Sequence, residues 1–312
     1  MENGKAAIVV SSLGKRFGAT VAVDGLSFDV QPGEIFGLVG PDGAGKTTTL
    51  RILAGVLPAD SGAVHVAGCD VVRDPERAKH DLSYMPQRFG LYEDLTVEEN
   101  VRFYADLYRV RAADREPREK QLLVAAGMSE FRRRLAGKLS GGMKQKLGLV
   151  CALIHTPRVI LLDEPTTGVD PVSRRDFWKI LYSLAMEGVA ILTSTAYLDE
   201  AERCHRVALL NQGKLLFCDT PARLKSKLGK NVLAIISPDP RRVRDTLEHA
   251  DGISSLMLTG DGVHVVVDNA QRRMTEFQAQ LTEARVPFDE LIPTLPSIED
   301  LFVESVTQKG EA

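Results

Sequence analysis

The stretch Gly40-Pro41-Asp42-Gly43-Ala44-Gly45-Lys46-Thr47-Thr48 has glycines at 40 and 45 followed by lysine and threonine, the spacing of a phosphate-binding loop. The apolar run 34–39 before it predicts a buried strand, and residues 47–55 after it predict a helix. Backbone N–H groups of such a loop form a concave anion site that side chains would obstruct. We expect Lys46 to meet the β- and γ-phosphates of a nucleotide and Thr47 to ligate Mg²⁺.

Composition favours an ordinary globular protein with one large and one small domain, since 44% of the 312 residues are hydrophobic and 26% are charged. Basic and acidic residues nearly balance, 39 against 42, so no nucleic-acid partner is expected. The four cysteines form no Cys-x-x-Cys pair and are predicted to be reduced core residues. The N-terminus lacks a secretory signal and no apolar run is long enough to span a membrane, which predicts a cytoplasmic chain.

The first seventy residues contain β-rich segments at 7–10, 20–30 and 63–67, which predict a small antiparallel sheet beside the phosphate-binding core. Phe17 is expected in the loop between the first two strands. Its ring has two possible roles there, stacking on an adenine or anchoring the loop on the sheet.

The stretch Leu139-Ser140-Gly141-Gly142-Met143-Lys144-Gln145 opens a predicted buried helix. Glycine in a helix costs about 1 kcal/mol relative to alanine, so two of them in a first turn need a reason. An anion that must reach bare backbone N–H groups at the positive end of the helix supplies one. Ser140 could add its hydroxyl or simply serve as the N-cap.

Two carboxylates end a continuous apolar run, 159–162, which is typical of a central parallel strand. Adjacent carboxylates repel each other, and a division of roles would explain them: Asp163 in the Mg²⁺ shell and Glu164 polarising the water that attacks the γ-phosphate. Gln87 ends another short strand and could reach a metal or its water. Asp170 and Pro171 predict the start of the next helix.

Together these motifs resemble those of the nucleotide-binding subunits of ABC transporters, over roughly residues 9–228. The resemblance implies an α/β P-loop NTPase fold with a parallel core sheet, an antiparallel β subdomain and a helical subdomain. It implies ATP and Mg²⁺ as cofactors. ATP-binding positions are then Phe17, Gly40, Pro41, Asp42, Gly43, Ala44, Gly45, Lys46, Thr47 and Thr48. Metal positions are Thr47, Gln87 and Asp163, and the catalytic positions are Glu164, Gln87 and the degenerate position Ala196.

The same resemblance implies a second ATPase chain, as a homodimer or a heterodimer, that sandwiches each ATP between one phosphate loop and the other chain's signature. The signature positions are Leu139, Ser140, Gly141, Gly142, Met143 and Gln145, and the dimer-contact loop is Gly168, Val169 and Asp170. The segments 90–96 and 168–171 resemble drug exporters of the daunorubicin type, whose permeases are separate chains. The expected location is the inner face of the cell membrane, with membrane contact only through the permease.

Ala196 departs from the family pattern, which has a switch histidine at this position. A methyl group donates no hydrogen bond to the γ-phosphate, and losing one such bond in the transition state lowers a rate by about 10²–10³. We therefore predict the catalytically weak half of an asymmetric pair. Two origins fit Ala196: natural asymmetry, which we favour, and an engineered change that traps ATP. An ATP-dependent clamp and a soluble ABC ATPase with little hydrolysis are the alternative functions.

The predicted domains are residues 5–228, the ATPase, and residues 229–312, a small accessory domain. Strands and helices alternate after residue 229 in the order β-α-β-β-α-β, followed by a final helix, which suggests a ferredoxin-like fold. In drug-exporter ATPases such domains assist dimerisation or assembly, and fold alone does not assign that role here.

Overall fold

The computed structural model describes residues 5–88 and 90–310, with side chains through residue 306. Its contacts divide the chain into two compact units, one ending at Cys218 and the other beginning at Asp219. Among the described residues, no helix is both long enough and apolar enough to cross a membrane.

Among its described residues the first unit contains ten strands and seven α-helices, and the last strand ends one residue beyond Cys218. In chain order they are β1 (Ile8–Phe17), β2 (Thr20–Val30), β3 (Ile35–Val39), α1 (Lys46–Leu53), β4 (Ser61–Val66), β5 (Cys69–Asp70), α2 (Pro75–Asp81), β6 (Leu82–Met85), α3 (Val97–Leu107), α4 (Ala112–Ala125), α5 (Gly141–Leu153), β7 (Val159–Asp163), α6 (Pro171–Met186), β8 (Ala190–Thr195), α7 (Leu198–Ala201), β9 (Arg206–Asn211) and β10 (Lys214–Asp219).

Six strands form the central sheet in the order β10-β9-β3-β8-β7-β6. The pairs β3–β8, β3–β9, β7–β8 and β6–β7 are all parallel. Every residue of β3, β7 and β8 is buried, as expected for strands covered on both faces. Because Val39 pairs with Thr195 and Asp163 with Ser194, the carboxyl ends of these strands meet at one edge of the sheet.

The antiparallel sheet has the order β2-β1-β4-β5 and shares one apolar core with the central sheet. Ile8 and Leu13 of β1 pack there with Phe36 of β3, Leu50 of α1 and Leu161 of β7. The strand β1 extends to Phe17, which pairs with Thr20, so the prediction that Phe17 lies in a loop is wrong. The hairpin turn is tighter than expected because Gly18 supplies a left-handed residue, φ 58°, between the paired ends.

The second unit contains α8 (Pro221–Lys227), β11 (Asn231–Ile236), α9 (Pro240–Leu247), β12 (Ile253–Leu258), β13 (Gly262–Val267), α10 (Ala270–Glu283), β14 (Glu290–Thr294) and α11 (Ile298–Gly310). Its sheet has the order β12-β13-β11-β14 with antiparallel pairs throughout, the arrangement of a ferredoxin-like fold. Phe277, Leu281, Val243 and Leu247 of its helices cover one face of this sheet.

The predicted domain boundary after residue 228 differs from the observed division after Cys218. Helix α8 packs against α11 of the second unit, and Thr220 caps α8 by accepting a hydrogen bond from the Arg223 N–H at 3.4 Å. The contact with α11 joins two helices that are far apart in the sequence, so the sequence pattern near residue 220 does not reveal it.

Candidate functional site

The loop between β3 and α1 is shaped by close backbone approaches that exclude side chains. A Cβ atom on Gly40 would lie 2.3 Å from the Leu210 carbonyl oxygen, and one on Gly45 would lie 2.4 Å from that of Ala22. Gly45 also has φ 98°, a left-handed conformation, at the N-cap of α1. The loop therefore presents backbone and the unpaired N–H groups of the first helical turn.

Lys46 is 4% exposed and its ammonium group lies beneath this loop. The Nζ atom donates to the carbonyl oxygens of Gly40 at 2.8 Å and Pro41 at 3.1 Å. It also forms an ion pair with Glu164 Oε1 at 3.2 Å. A buried cation is thus held by two carbonyl groups and one carboxylate at the start of α1.

Asp163, the last residue of β7, is 2% exposed and accepts three side-chain hydrogen bonds. Oδ1 accepts from Thr47 Oγ1 at 3.0 Å and from Ser194 Oγ at 2.8 Å, and Oδ2 accepts from Tyr84 at 3.3 Å. Burial, together with the Asp163 charge, raises the pKa of Tyr84 to about 12, so its hydroxyl stays protonated as a donor. The sequence reasoning missed Tyr84 and Ser194, although both are polar residues near the ends of strands that flank β7.

Glu164 adopts a left-handed conformation, φ 48°, immediately after the strand. Its N–H donates to both the carbonyl oxygen and the Oγ of Ser194, at 3.2 and 3.0 Å. Its Oε2 accepts from Gln87 Nε2 at 3.1 Å. A non-glycine residue at positive φ costs energy, so these bonds hold the carboxylate in a strained position that faces Lys46.

A pocket of about 490 Å³ opens above these residues. Its wall contains seven consecutive loop and helix residues, Asp42 to Thr48, together with Phe17, Gln87 and Glu164. The Phe17 ring is 51% exposed, with Lys15 Nζ 5.5 Å from its centroid, so it is not a buried anchor. Gly43, with φ 79°, has open space where a Cβ would stand.

The residues predicted to hold Mg²⁺ are only partly brought together. Thr47 and Asp163 are in direct contact, whereas the Gln87 amide is bonded to Glu164. In the described part of the chain no cluster of three or more His, Cys, Asp or Glu side chains could form a protein-only metal cage. One carboxylate and one hydroxyl suit Mg²⁺ because this ion takes most of its ligands from water and substrate phosphates.

The signature residues lie outside the pocket. Ser140 is the N-cap of α5, and its Oγ accepts from the Met143 N–H at 3.3 Å. A Cβ on Gly142 would lie 2.5 Å from Ser173 Cβ of α6, whereas one on Gly141 would meet nothing closer than 3.8 Å. The sequence-based argument that an anion explains both glycines is therefore corrected: packing against α6 requires Gly142, and Gly141 alone lacks such a reason within the chain.

The predicted dimer-contact loop leads into α6. Gly168 has φ 72°, and the Val169 N–H donates to the Thr166 carbonyl at 3.1 Å. Asp170 is the N-cap, and its Oδ1 accepts from the N–H groups of Ser173 at 2.9 Å and Val172 at 3.1 Å. These hydrogen bonds, that from the Ser173 backbone foremost, lower the pKa of Asp170.

Ala196 directly follows β8 and is exposed at the same sheet edge. The carbonyl of the preceding residue, Thr195, accepts from the Gly40 N–H at 3.4 Å, so position 196 is close to the start of the loop. His205 lies at the opposite end of β3, where its Nδ1 accepts from the Ile35 N–H at 2.9 Å. His205 therefore does not replace a histidine at 196.

A buried cluster behind the acidic residues was not apparent from the sequence. Glu200 of α7 is 1% exposed and accepts from Thr166 Oγ1 at 2.6 Å. Arg174 Nε lies 3.5 Å from the same Oε1 atom of Glu200. These contacts join the segment after Glu164, helix α6 and the segment that carries Ala196.

Comparison with known proteins agrees with this geometry. Residues 23–167 match the family model described as ABC transporter. The chain is 32% identical over 310 residues to the daunorubicin resistance ATP-binding protein DrrA2 of Streptomyces coeruleorubidus, covering 98% of this chain and 96% of that protein. It is 42% identical over 309 residues to the probable multidrug ABC transporter ATP-binding protein YbhF of Escherichia coli (strain K12), covering 98% of this chain and 53% of that protein. The chain thus spans about half the length of YbhF.

A solved structure described as an ATP binding subunit of an ABC transporter superposes with a TM-score of 0.65 at 30% sequence identity. It covers 72% of this chain and 93% of its own. The predicted α/β fold, with a parallel core sheet, an antiparallel subdomain and a helical subdomain, is confirmed.

Proposed function

The chain belongs to the ATP-binding proteins of the ABC transporter family, and from this premise we propose that it is the ATP-hydrolysing subunit of an exporter for drugs or other hydrophobic compounds. Its working partners are a second ABC ATPase domain and a separate membrane permease. The names of the relatives, one concerned with daunorubicin resistance and one with multidrug transport, support this class of cargo.

The proposal rests on one observation: four functional side chains come together at one edge of the sheet, below a loop whose backbone no side chain covers. They are Lys46, Thr47, Asp163 and Glu164. Lys46 and the first N–H groups of α1 bind the β- and γ-phosphates of ATP. A phosphate that binds Lys46 competes with Glu164 for the same ammonium group, which releases this carboxylate to orient water. Phe17, exposed at the pocket wall, stacks on the adenine.

Mg²⁺ would be held by Thr47 and Asp163, with Gln87 as an outer ligand, and would supply positive charge at the phosphate oxygens. The residues fit this ion because Asp163 already contacts the Thr47 hydroxyl, while Ser194 and Tyr84 fix the carboxylate. Glu164 accepts the proton of the attacking water, and the γ-phosphate leaves as inorganic phosphate with ADP as the other product.

Hydrolysis at this chain's own site is proposed to be slow because Ala196 offers no donor to the γ-phosphate. A partner chain with histidine at the corresponding position would use the signature of this chain, Ser140 to Gly142, to complete its own site. The pair would then hold one ATP and hydrolyse the other. An ATP-dependent clamp that rarely hydrolyses is the second candidate function, and Ala196 is the observation that favours it.

The permease is proposed to dock beside Gln87 and the segment 89–96, which would place the ATPase at the cytoplasmic face of the membrane. Phe89 lies outside the described residues, and the remainder of this segment leads into α3. Co-purification with a multi-span membrane protein tests this part of the proposal.

Retention of Mg·ATP by the purified chain tests nucleotide binding directly. We expect Lys46→Ala to weaken ATP binding about 100-fold, because a charge-assisted contact to phosphate is lost. Lys79→Ala, which removes a lysine paired with Glu76 on α2, serves as the matched control and should bind ATP normally. Equal ATP retention by wild type and Lys46→Ala would refute the proposed site.

A further inference from the structure

A second pocket lies in the first unit, away from the proposed ATP site, where α4 and α6 both pack on α5. Its volume is about 410 Å³, within the range of sites that bind small organic molecules. The floor consists of buried apolar side chains of α5: Leu149, Val150 and Leu153. The apolar floor of this α4–α6 pocket suits a hydrocarbon or aromatic body.

The rim of the pocket carries three cations, Arg118, Lys146 and Lys179, and two carboxylates, Asp176 and Glu187. Three positive charges and two negative charges leave the rim with a net charge of +1. Asp176 is shared, with Lys146 at 3.2 Å and Lys179 at 3.3 Å. The lysines are therefore neutralised in part by a carboxylate between them.

Arg118 is the rim cation whose charge is least satisfied. It is half-buried, and its one side-chain hydrogen bond to the described residues is donated by Nη1 to Gln121 Oε1 at 3.0 Å. Its Nε atom is buried without a hydrogen-bond partner, and among the described residues no carboxylate forms an ion pair with it. Burial lowers the pKa of Arg118, and the charge of Glu187 opposes this only in part. Such a group gains from an anion that completes its hydrogen bonds.

We propose that the α4–α6 pocket binds a small amphiphile with one negative charge, whose carboxylate or sulfonate contacts Arg118 and whose apolar body covers Leu149 and Leu153. The net charge of the rim matches a single anion, and the apolar floor excludes a small inorganic ion as the preferred ligand. The site is distinct from the ATP pocket, since the two share no lining residue.

Decanoate and decanol are suitable probes because they share a similar chain and differ in charge. Binding is measured by titration calorimetry on the full chain saturated with Mg·ATP, so that the nucleotide site is occupied. We expect decanoate to bind and decanol to bind at least about tenfold more weakly, since the alcohol forms no charge-assisted contact. Arg118→Gln should reduce decanoate affinity to the level of decanol and leave decanol unchanged.

Two further variants locate the ligand. Ser183→Phe places a ring at the rim of this pocket and should abolish binding of both probes. Arg118 also borders two adjoining cavities, and Ser183 lines neither of them. If Ser183→Phe still binds decanoate, the ligand lies outside the α4–α6 pocket and the assignment to this pocket is wrong. Lys120→Gln removes the same charge from α4 outside the pocket and should leave decanoate affinity unchanged.

Failure of this inference is distinguishable from failure of the proposed function. A chain that retains Mg·ATP but binds neither probe contradicts the amphiphile site alone. The proposal is also contradicted if wild type and Arg118→Gln bind decanoate with equal affinity while melting curves show that both proteins are folded. Capture of an apolar peptide in place of decanoate would assign the pocket to a protein partner and overturn the proposal.

Discussion

Ala196 is the residue that we propose limits the rate of ATP hydrolysis at this chain's own site. It lies one position after Thr195, whose carbonyl is bonded to the N–H of Gly40, and its methyl group is exposed at the edge where the phosphate loop begins. A longer side chain at this position would have room to extend from the sheet edge. Nothing in the strand β8 itself requires alanine, since the buried strand ends at Thr195.

Ala196→His should therefore raise ATP turnover of the purified chain at saturating ATP. Because a single transition-state hydrogen bond changes a rate by about 10²–10³, an increase of about 100-fold is expected. Phosphate release under steady-state conditions measures it, with ATP affinity determined in parallel. Ala196→Leu is the control, since it adds bulk without a donor and should leave turnover low. Unchanged turnover in Ala196→His would remove the proposed role of this position.

At the scale of elements, the start of α5 carries two adjacent glycines with different surroundings. Gly142 faces Ser173 of α6, whereas Gly141 has room for a methyl group in the isolated chain. The two adjacent glycines therefore respond differently to the same substitution. Because packing within the chain does not account for Gly141, we propose that a nucleotide held by a partner chain does.

Gly142→Ala should destabilise the chain by about 1–3 kcal/mol, because the added methyl overlaps Ser173 and forces the helices apart. Gly141→Ala should be neutral or stabilising by up to about 1 kcal/mol, since alanine is the better helix former. Chemical denaturation measures both free energies. ATP turnover with a partner should nevertheless fall in Gly141→Ala, and full turnover in that variant would contradict the signature assignment.

The strand β13 and the helix α11 are linked by a partly buried ion pair. His264 Nδ1 lies 3.2 Å from Asp300 Oδ1, and Asp300 also accepts from the Ser297 N–H at 2.8 Å. The hydrogen bond to Asp300, aided by Asp261 and Glu299, raises the pKa of His264. Burial opposes ionisation of Asp300, but the bonds from His264 and Ser297 still lower its pKa.

Because the folded-state pKa of His264 is raised, its contribution to stability is complete below its ordinary value of 6.5 and is lost as pH rises through the raised value. Hydrogen exchange of α11 should thus show greater protection in wild type than in His264→Gln at pH 6, and the difference should shrink by pH 9. His249→Gln, an exposed histidine of the same unit, is the control. Equal protection of wild type and His264→Gln at pH 6 would show that the pair adds no stability.

The elements that the sequence predicted well are those with strong local signals. The glycine-rich loop, the carboxylates that end a wholly apolar strand, and the Asp170-Pro171 cap each appear where expected. The contacts that the sequence did not predict join residues that are far apart along the chain. Ser194 and Tyr84 reach Asp163 only because parallel strands align their carboxyl ends, and the Ser173 packing of Gly142 depends on the crossing of two helices.

At the scale of the whole molecule, the first unit contains every residue proposed for nucleotide binding, and the second has an apolar core of its own. The phosphate pocket and the signature lie in different parts of the first unit, because no signature residue lines the pocket. This separation fits the proposal that one chain contributes half of each of two sites in a dimer. In an asymmetric pair these halves serve different ATP molecules, so damage to them should have unequal effects.

Pairing this chain with a partner that carries the switch histidine allows this inequality to be measured. If this chain's own site is slow, as proposed, Lys46→Ala disables only that site, and steady-state ATP turnover of the pair should fall less than about twofold. Ser140→Arg in this chain places a large, charged side chain at the N-terminus of α5, where the proposed signature would contact the ATP bound to the partner. Because this change would obstruct the faster site, it should lower turnover about 100-fold or more. Single-turnover hydrolysis with labelled ATP separates the two sites. Equal losses from the two substitutions would mean that both sites hydrolyse alike and that Ala196 does not make the pair asymmetric.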